Sequence, residues 1–312
     1  MSSTQRGADW TRSELSLLAG EGLSVSVEAA GRALASTDFG NLVRGEAVAI
    51  VTPRDEDELA RALRFANTRG LSFTARGTGR SSGGQSVAKK SVTLDLSRLD
   101  RVGAVDVERR EIRCEPGARW RSVVDATLPR GLVPRVLPLN LDLTVGGTIS
   151  VGGVGSTSHR FGTAAANVTA VEAVTGDGRL LRSADEQELL GATLAGLGRA
   201  AVITSATLAL RPAPAKVHTY YLLYDELGPW LADLERARSE QRFEHVDGFC
   251  SASVQGLRNV PGGRRPFARW FYGLHLSIEH ESGALPDRAA LLGGFQPRWC
   301  VHEEENDAPA YV

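Results

Sequence analysis

Ala75-Arg76-Gly77-Thr78-Gly79-Arg80-Ser81-Ser82-Gly83-Gly84-Gln85-Ser86 is the stretch that decides the fold of this chain. It leaves an apolar, alternating segment, Leu71 to Ala75, that reads as a strand. A second glycine run follows later: Leu143-Thr144-Val145-Gly146-Gly147-Thr148-Ile149-Ser150-Val151-Gly152-Gly153-Val154-Gly155. Two such loops imply a backbone that approaches a large anionic ligand closely. Glycine lets amide N–H groups face phosphate oxygens with no side chain in the way. The first loop is not a P-loop, because no Gly-Lys-Ser/Thr ends it. It also fails the dinucleotide fingerprint: Gly77 and Gly79 give G-x-G, but the next glycine is Gly83 and position 82 is serine. The loop runs towards Val92–Leu94 and a further strand rather than into a helix.

Upstream, Ala47–Val51 is a short apolar strand. Thr52 is placed to cap a helix with Pro53 at its first position, and Asp55, Glu56 and Asp57 suit the positive helix N-terminus. Leu59, Ala62, Leu63 and Ala66 fall on one helical face, and Gly70 ends the helix. The first forty residues are polar, with one helix expected around Glu14–Leu18. Downstream, Val92, Leu94 and Leu96 alternate as a half-buried strand would, and Glu111–Cys114 is expected to pair with it. Pro116-Gly117 turns the chain into a helix holding Trp120, Val123, Val124 and Leu128. Val168–Val174 is strand-like, and Thr175-Gly176-Asp177-Gly178 is a hairpin turn. A helix over Glu186–Leu194 and a long strand over Ala201–Leu210 follow. Pro212 and Pro214 then mark a boundary. Beyond it, strands are expected at Tyr220–Tyr224, Phe249–Val254 and Trp270–Ile278, with a helix at Leu227–Arg238.

The chain has 312 residues, enough for about two domains. Its 42% apolar and 23% charged residues are ordinary globular composition. A net charge of −1 without a basic cluster argues against a nucleic-acid partner. The start, Met1 to Trp10, lacks an apolar core preceded by basic residues, and no apolar run has membrane-spanning length. The expected location is therefore the cytoplasm, with no membrane partner. Cys114, Cys250 and Cys300 are widely spaced, with no C-x-x-C pair, and read as buried reduced thiols rather than metal ligands. His275 and His280 have no spacing that demands a metal, so no metal is expected. Glu303, Glu304 and Glu305 read as a solvated run.

Four segments together resemble the FAD-linked oxidase superfamily of the vanillyl-alcohol oxidase and p-cresol methylhydroxylase type, nearest to the cytokinin dehydrogenase group. They are Val48-Ala49-Ile50-Val51-Thr52-Pro53, Arg76-Gly77-x-Gly79-x-Ser81 with Gln85, Leu143-Thr144-Val145-Gly146-Gly147-Thr148-x-Ser150, and Gly196-Leu197-Gly198 leading into Val202-Ile203-Thr204. The likeness covers roughly residues 40 to 215 and is weaker beyond. It implies an α+β architecture: a two-subdomain FAD-binding fold followed by an incomplete substrate domain. The implied organisation is an N-terminal segment over 1–40, an FAD-binding domain over 41–215 and a partial substrate or cap domain over 216–312.

The resemblance places the cofactor contacts at Ala75, Gly77, Thr78, Gly79, Arg80, Ser81 and Gln85 in the first loop. Thr144, Gly147, Ser150 and Val154 serve in the second, with Val202 and Ile203 towards the adenine. Core packing is an equally good reading of Val202 and Ile203. Two departures stand out. Arg80 occupies the position at which cytokinin dehydrogenases carry a histidine bonded covalently to the flavin, so FAD is expected to be non-covalent here. Arg80 is read either as a partner for a phosphate or reduced flavin, or as a solvated cation. Leu139 falls where the family has its catalytic aspartate. Asp142 is close by but out of register, a weak substitute for the base. His159 and Arg160 precede Phe161-Gly162, similar to the family's aromatic-glycine turn, and are expected to be structural.

The implied activity is transfer of hydride from a C–H beside an alcohol or amine of a small-molecule substrate to FAD. Family members continue well past Val312, which leaves open a truncated or partner-dependent flavin-binding protein without independent catalysis. A second chain, or self-association over an exposed sheet edge, would then cover the unfinished domain. A reductase of the UDP-N-acetylenolpyruvoylglucosamine type is a third reading; the spacing of Leu143 to Ser150 argues against it.

Overall fold

The computed structural model describes residues 9–281 and 287–311. The chain divides into two units, one made of Met1–Val154 with Thr163–Arg211, the other of Gly155–Gly162 with Pro212–Val312. Among the described residues, helices mix with one largely parallel and two antiparallel sheets, an α+β architecture.

The first sheet of the first unit is ordered Val25–Ser26, Glu46–Val51, Lys89–Asp95, Phe73–Arg76. Glu46–Val51 and Phe73–Arg76 both run parallel to Lys89–Asp95. Lys89–Asp95 is therefore interior to the sheet. Ser91, Val92, Thr93 and Leu94 are all buried, so the strand is covered on both faces rather than half-buried as its alternation predicts. Helix Glu56–Thr68 lays Leu59, Ala62, Leu63 and Ala66 on this sheet, against Val51, Val92 and Leu94.

The cap of that helix is Asp55, not Thr52. The Asp55 carboxylate accepts the Glu58 amide at 2.8 Å, and the Glu58 carboxylate reaches back to the Arg54 amide at 2.8 Å. Thr52 is occupied elsewhere: its amide donates to the Ser24 carbonyl at 3.2 Å, so Pro53 stands outside the helix. Helix Arg12–Gly20 is capped by Thr11 and buries Leu15 and Leu18. Before it, Trp10 packs on Phe65 and Phe73, and its indole donates to the Ser72 carbonyl at 2.8 Å. A short helix, Ala29–Ala35, was not anticipated; Arg32 from it donates to the Ala47 carbonyl at 2.8 Å.

The second sheet runs Val102–Asp106, Glu111–Cys114, Ala201–Pro212, Val168–Thr175, Leu180–Arg182, with Leu132–Pro134 also on Ala201–Pro212. Glu111–Cys114 thus pairs with Val102–Asp106 and Ala201–Pro212, not with Lys89–Asp95 as its sequence position suggests. The reason is local. Asp106 accepts the Arg109 amide at 2.9 Å and closes a tight hairpin before any more distant pairing is needed. Cys114 is buried in this sheet, which pushes its thiol up to about 12. Cys250 is exposed and Cys300 half-buried, so burial holds for Cys114 alone of the three.

In the second unit the order is His245–Val260, Gly263–His280, Lys216–Tyr224, Trp299–Asp307, all antiparallel. Tyr220, Leu222, Tyr224, Phe243, Leu274 and Leu276 form its core. The Tyr224 hydroxyl donates to Asp233 of helix Leu227–Glu240 at 2.8 Å. Glu303, Glu304 and Glu305 lie on the strand Trp299–Asp307, with Glu303 and Glu305 exposed as a solvated run would be. Arg288 donates to Glu303 at 2.7 Å, and Lys216 to Glu305 at 2.5 Å. The distal ribbon formed by His245–Val260 and Gly263–His280 leaves Phe249, Val254, Leu257, Phe267 and Trp270 exposed. No described helix is long and apolar enough to cross a membrane.

Leu94 is fully buried and Leu139 is 97% exposed. Leu94→Ala is expected to cost about 2–5 kcal/mol and Leu139→Ala within roughly 0.5 kcal/mol, both read from urea unfolding followed by tryptophan fluorescence.

Candidate functional site

Strand Phe73–Arg76 delivers the first glycine loop, and Arg76 holds both of its ends. Its guanidinium folds back to the Thr37 carbonyl at 3.1 Å, the Ser86 carbonyl at 3.1 Å and the Leu34 carbonyl at 3.0 Å. Burial lowers the pKa of Arg76, opposed by the charges of Asp95 and Asp38. Gly79 has a φ of +71°, and a Cβ there would stand 2.3 Å from the Arg76 guanidinium, so both backbone and space require glycine. The Ser81 and Ser86 hydroxyls bond at 2.6 Å, and the Ser81 carbonyl accepts the Phe39 amide at 3.0 Å. Gln85 is exposed, and its side-chain carbonyl accepts the Gly83 amide at 3.1 Å. Arg80 is exposed, its guanidinium 4.9 Å from the centre of the Phe39 ring.

The second glycine run is not a loop throughout. Val145–Ser150 is a short helix capped by Thr144, whose hydroxyl accepts the Gly147 amide at 3.3 Å. The segment is fixed from two sides. The Val145 and Gly146 amides donate to the Ala118 and Pro116 carbonyls, each at 2.8 Å. Beyond the helix, the Ile149 and Ser150 carbonyls accept the Ala195 and Leu197 amides at 2.9 and 2.8 Å. Ser150 is half-buried and Val154 is exposed.

The two runs meet at Thr144. A Cβ on Gly77 would lie 2.4 Å from the Thr144 hydroxyl, and the Thr78 hydroxyl donates to the Asp142 carbonyl at 3.2 Å. Gly77, Thr78, Thr144 and Gly147 are thereby brought together. Ala75 lines a cleft of about 240 Å³ with Phe73, Asn67, Arg199 and Val202. Ile203, next along the strand, is buried and does not line it.

A second cleft, of about 230 Å³, is lined by ion-paired groups. Burial works to raise the Glu172 carboxyl. Hydrogen bonds from Ser205 and Arg113, the Arg113 charge and a bond from Arg182 together hold it below the ordinary range. Glu56, at the start of helix Glu56–Thr68, accepts the Thr204 hydroxyl at 2.6 Å. This arrangement joins the second sheet to that helix; its charges are already used.

Other expected residues stand apart. Asp142 is half-exposed and pairs with Arg121 at 3.5 Å. Leu139 projects from its loop into solvent. In the second unit, His159 bonds to the Ser156 and Phe243 carbonyls, each at 3.1 Å, and Arg160 bonds to the Phe243 and Gln241 carbonyls. Sequence reading missed Arg76 as a site-forming residue; the arginine directly before the first glycine was its signal.

Among the described residues, the amides of Gly77, Thr78, Gly79, Arg80, Ser81 and Ser82 donate to no protein acceptor. A run of open amides, with hydroxyls close by, is the donor set an acceptor-rich diphosphate takes. Together with the crowding at Gly77, it fits a dinucleotide lying against backbone.

Residues 47–184 match the family described as an FAD binding domain. Among curated proteins, the chain is 40% identical over 270 residues to an uncharacterised oxidoreductase of the fasciation locus of Rhodococcoides fascians, covering 86% of this chain and 58% of that protein. It is 34% identical over 244 residues to cytokinin dehydrogenase 7 of Oryza sativa subsp. japonica, covering 73% of this chain and 47% of that protein. Cytokinin dehydrogenase 5 of the same plant is 33% identical over 280 residues, covering 84% and 52%. The chain spans about half the length of the curated relatives it matches. The first unit thus carries an FAD-binding domain, and FAD is its cofactor. Residues 47–184 belong to the FAD binding domain family, and the chain is similar to an oxidoreductase and to cytokinin dehydrogenases.

Gly77→Ala forces the two glycine runs apart at Thr144. It is expected to weaken FAD binding by about tenfold or more, roughly 1.4 kcal/mol, in a flavin-fluorescence titration, with the far-UV circular dichroism unchanged.

Proposed function

We propose that this chain is an FAD-dependent oxidoreductase acting on a small molecule, at a C–H beside an alcohol or amine. The observation that carries the reading is the meeting of two glycine runs at Thr144, beside a row of open amides. Bound FAD supplies the hydride acceptor. The chain's own part is to bind and orient it. Amides and hydroxyls of Gly77, Thr78, Gly79 and Ser81 would hold the diphosphate, supported by Gln85 within the loop. Thr144, Gly147, Ser150 and Val154 would border the cofactor from the second run. Ala75 and Val202 would face the adenine end across the cleft, and Ile203 would back that strand from the core.

Arg80 cannot form the histidyl link of the cytokinin dehydrogenases, so FAD would be held without a covalent bond. Its exposed guanidinium would be available to an anionic group of the cofactor. Leu139 has no proton to exchange, and Asp142 faces Arg121. The base of a cytokinin-type amine oxidation is therefore missing from its family position, which favours an alcohol or a different amine over a cytokinin. The second unit, from about Lys216, would form part of the substrate side, in a cytoplasmic enzyme.

The test is the visible spectrum of purified protein after incubation with FAD and desalting, repeated on the acid-precipitated pellet. Yellow protein with a colourless pellet is expected. Folded but colourless protein overturns the reading, and a yellow pellet overturns the non-covalent part of it.

A further inference from the structure

The second unit holds a side-chain relay made of none of the residues proposed for the cofactor. Ser156 Oγ lies 2.8 Å from His245 Nδ1, and His245 Nε2 lies 2.8 Å from Glu279 Oε1. An ionised carboxylate only accepts, so Nε2 carries the proton and Nδ1 turns its lone pair to the Ser156 hydroxyl. That is the arrangement of a nucleophile, its base and the group that orients the base. The imidazole is buried and cannot swing away. The Tyr311 ring stands edge-on to it at 4.9 Å, and the Val246 amide beside it donates to the Ser156 carbonyl at 2.9 Å. Ser156 itself is only partly buried. Its amide donates to no protein acceptor among the described residues and is available to an oxyanion. Nothing in the local sequence announces the relay, because Ser156 and His245 are 89 residues apart.

The geometry points to Ser156 as an activated nucleophile, with His245 as its base and Glu279 as the positioning residue, acting on small activated esters. Ser156 Oγ attacks the ester carbonyl carbon, a new C–O bond forms, and the hydroxyl proton passes to His245 Nδ1. The bond to the alcohol then breaks, and His245 returns the proton to the departing oxygen. Water repeats the sequence on the acyl-serine, releasing the acid and restoring Ser156. No oxidant or reductant enters, and the relay is independent of the flavin reading.

The experiment treats the full chain with a fluorophosphonate probe and maps the adduct by peptide mass. One adduct, on Ser156, is expected, and it disappears in Ser156→Ala. His245→Gln and Glu279→Gln are expected to lower the labelling rate at saturating probe by roughly 100-fold, with the half-saturating concentration unchanged and the near-UV circular dichroism retained. A merely structural bond network would not divide the two constants in this way. Unlabelled wild-type protein, an adduct elsewhere, or equal saturating rates in wild type and Glu279→Gln would each overturn the proposal. The wild-type result stands even if a variant fails to fold.

Discussion

Thr144 is the point on which the first unit's candidate site depends. It is buried, and its hydroxyl caps the helix Val145–Ser150. Its carbonyl accepts both the Thr148 amide at 3.0 Å and the Thr148 hydroxyl at 2.9 Å. The Thr148 hydroxyl in turn accepts the Trp120 indole N–H at 2.9 Å. A fully buried tryptophan is thereby tied through two threonines to the place where Gly77 must pass. Only a residue without a Cβ fits against that hydroxyl, so the path of the first loop is set by contact with the second. Neither loop has this shape by itself.

Charge is distributed in a consistent way around this point. Arg76 spends its donors on carbonyls of the surrounding backbone, and Arg113 and Arg182 are spent on Glu172. The groups left open in the first loop are amides. Amides fixed by a loop carry dipoles that need no counter-ion and little reorganisation, which suits a diphosphate held close to backbone. Paired arginines elsewhere add rigidity without competing for the same ligand.

What could be read from the sequence follows the range of the forces involved. The face Leu59, Ala62, Leu63 and Ala66, the helix at Trp120 and the Thr175–Gly178 turn are local patterns, and the structure has them. The cap lies at Asp55, three residues after Thr52, because Asp55 and Glu58 satisfy the Glu58 and Arg54 amides reciprocally, a geometry that residue types alone do not reveal. The pairing of Glu111–Cys114 and the placing of Glu303–Glu305 in a strand depend on partners distant in sequence, where periodicity says nothing. The glycine runs were visible as runs. The contact of Gly77 with Thr144, and the clamp made by Arg76, are properties of three segments together.

Cofactor binding and chemistry draw on different parts of such a chain. Binding here rests on backbone and on small residues, so it tolerates the loss of individual reactive side chains. Catalysis rests on a few side chains at fixed positions, and the resemblance puts Arg80 and Leu139 where the family would carry its histidine and aspartate. Neither substitution touches Thr144, the open amides or the crowding at Gly77. On that reading Arg80 would bring a cation to the loop without a covalent tether, and Leu139, on an exposed loop, would offer no proton acceptor. On that reading, affinity for FAD would be separable from the identity of what FAD oxidises. A scaffold of this kind can change substrate while its cofactor cradle stays the same.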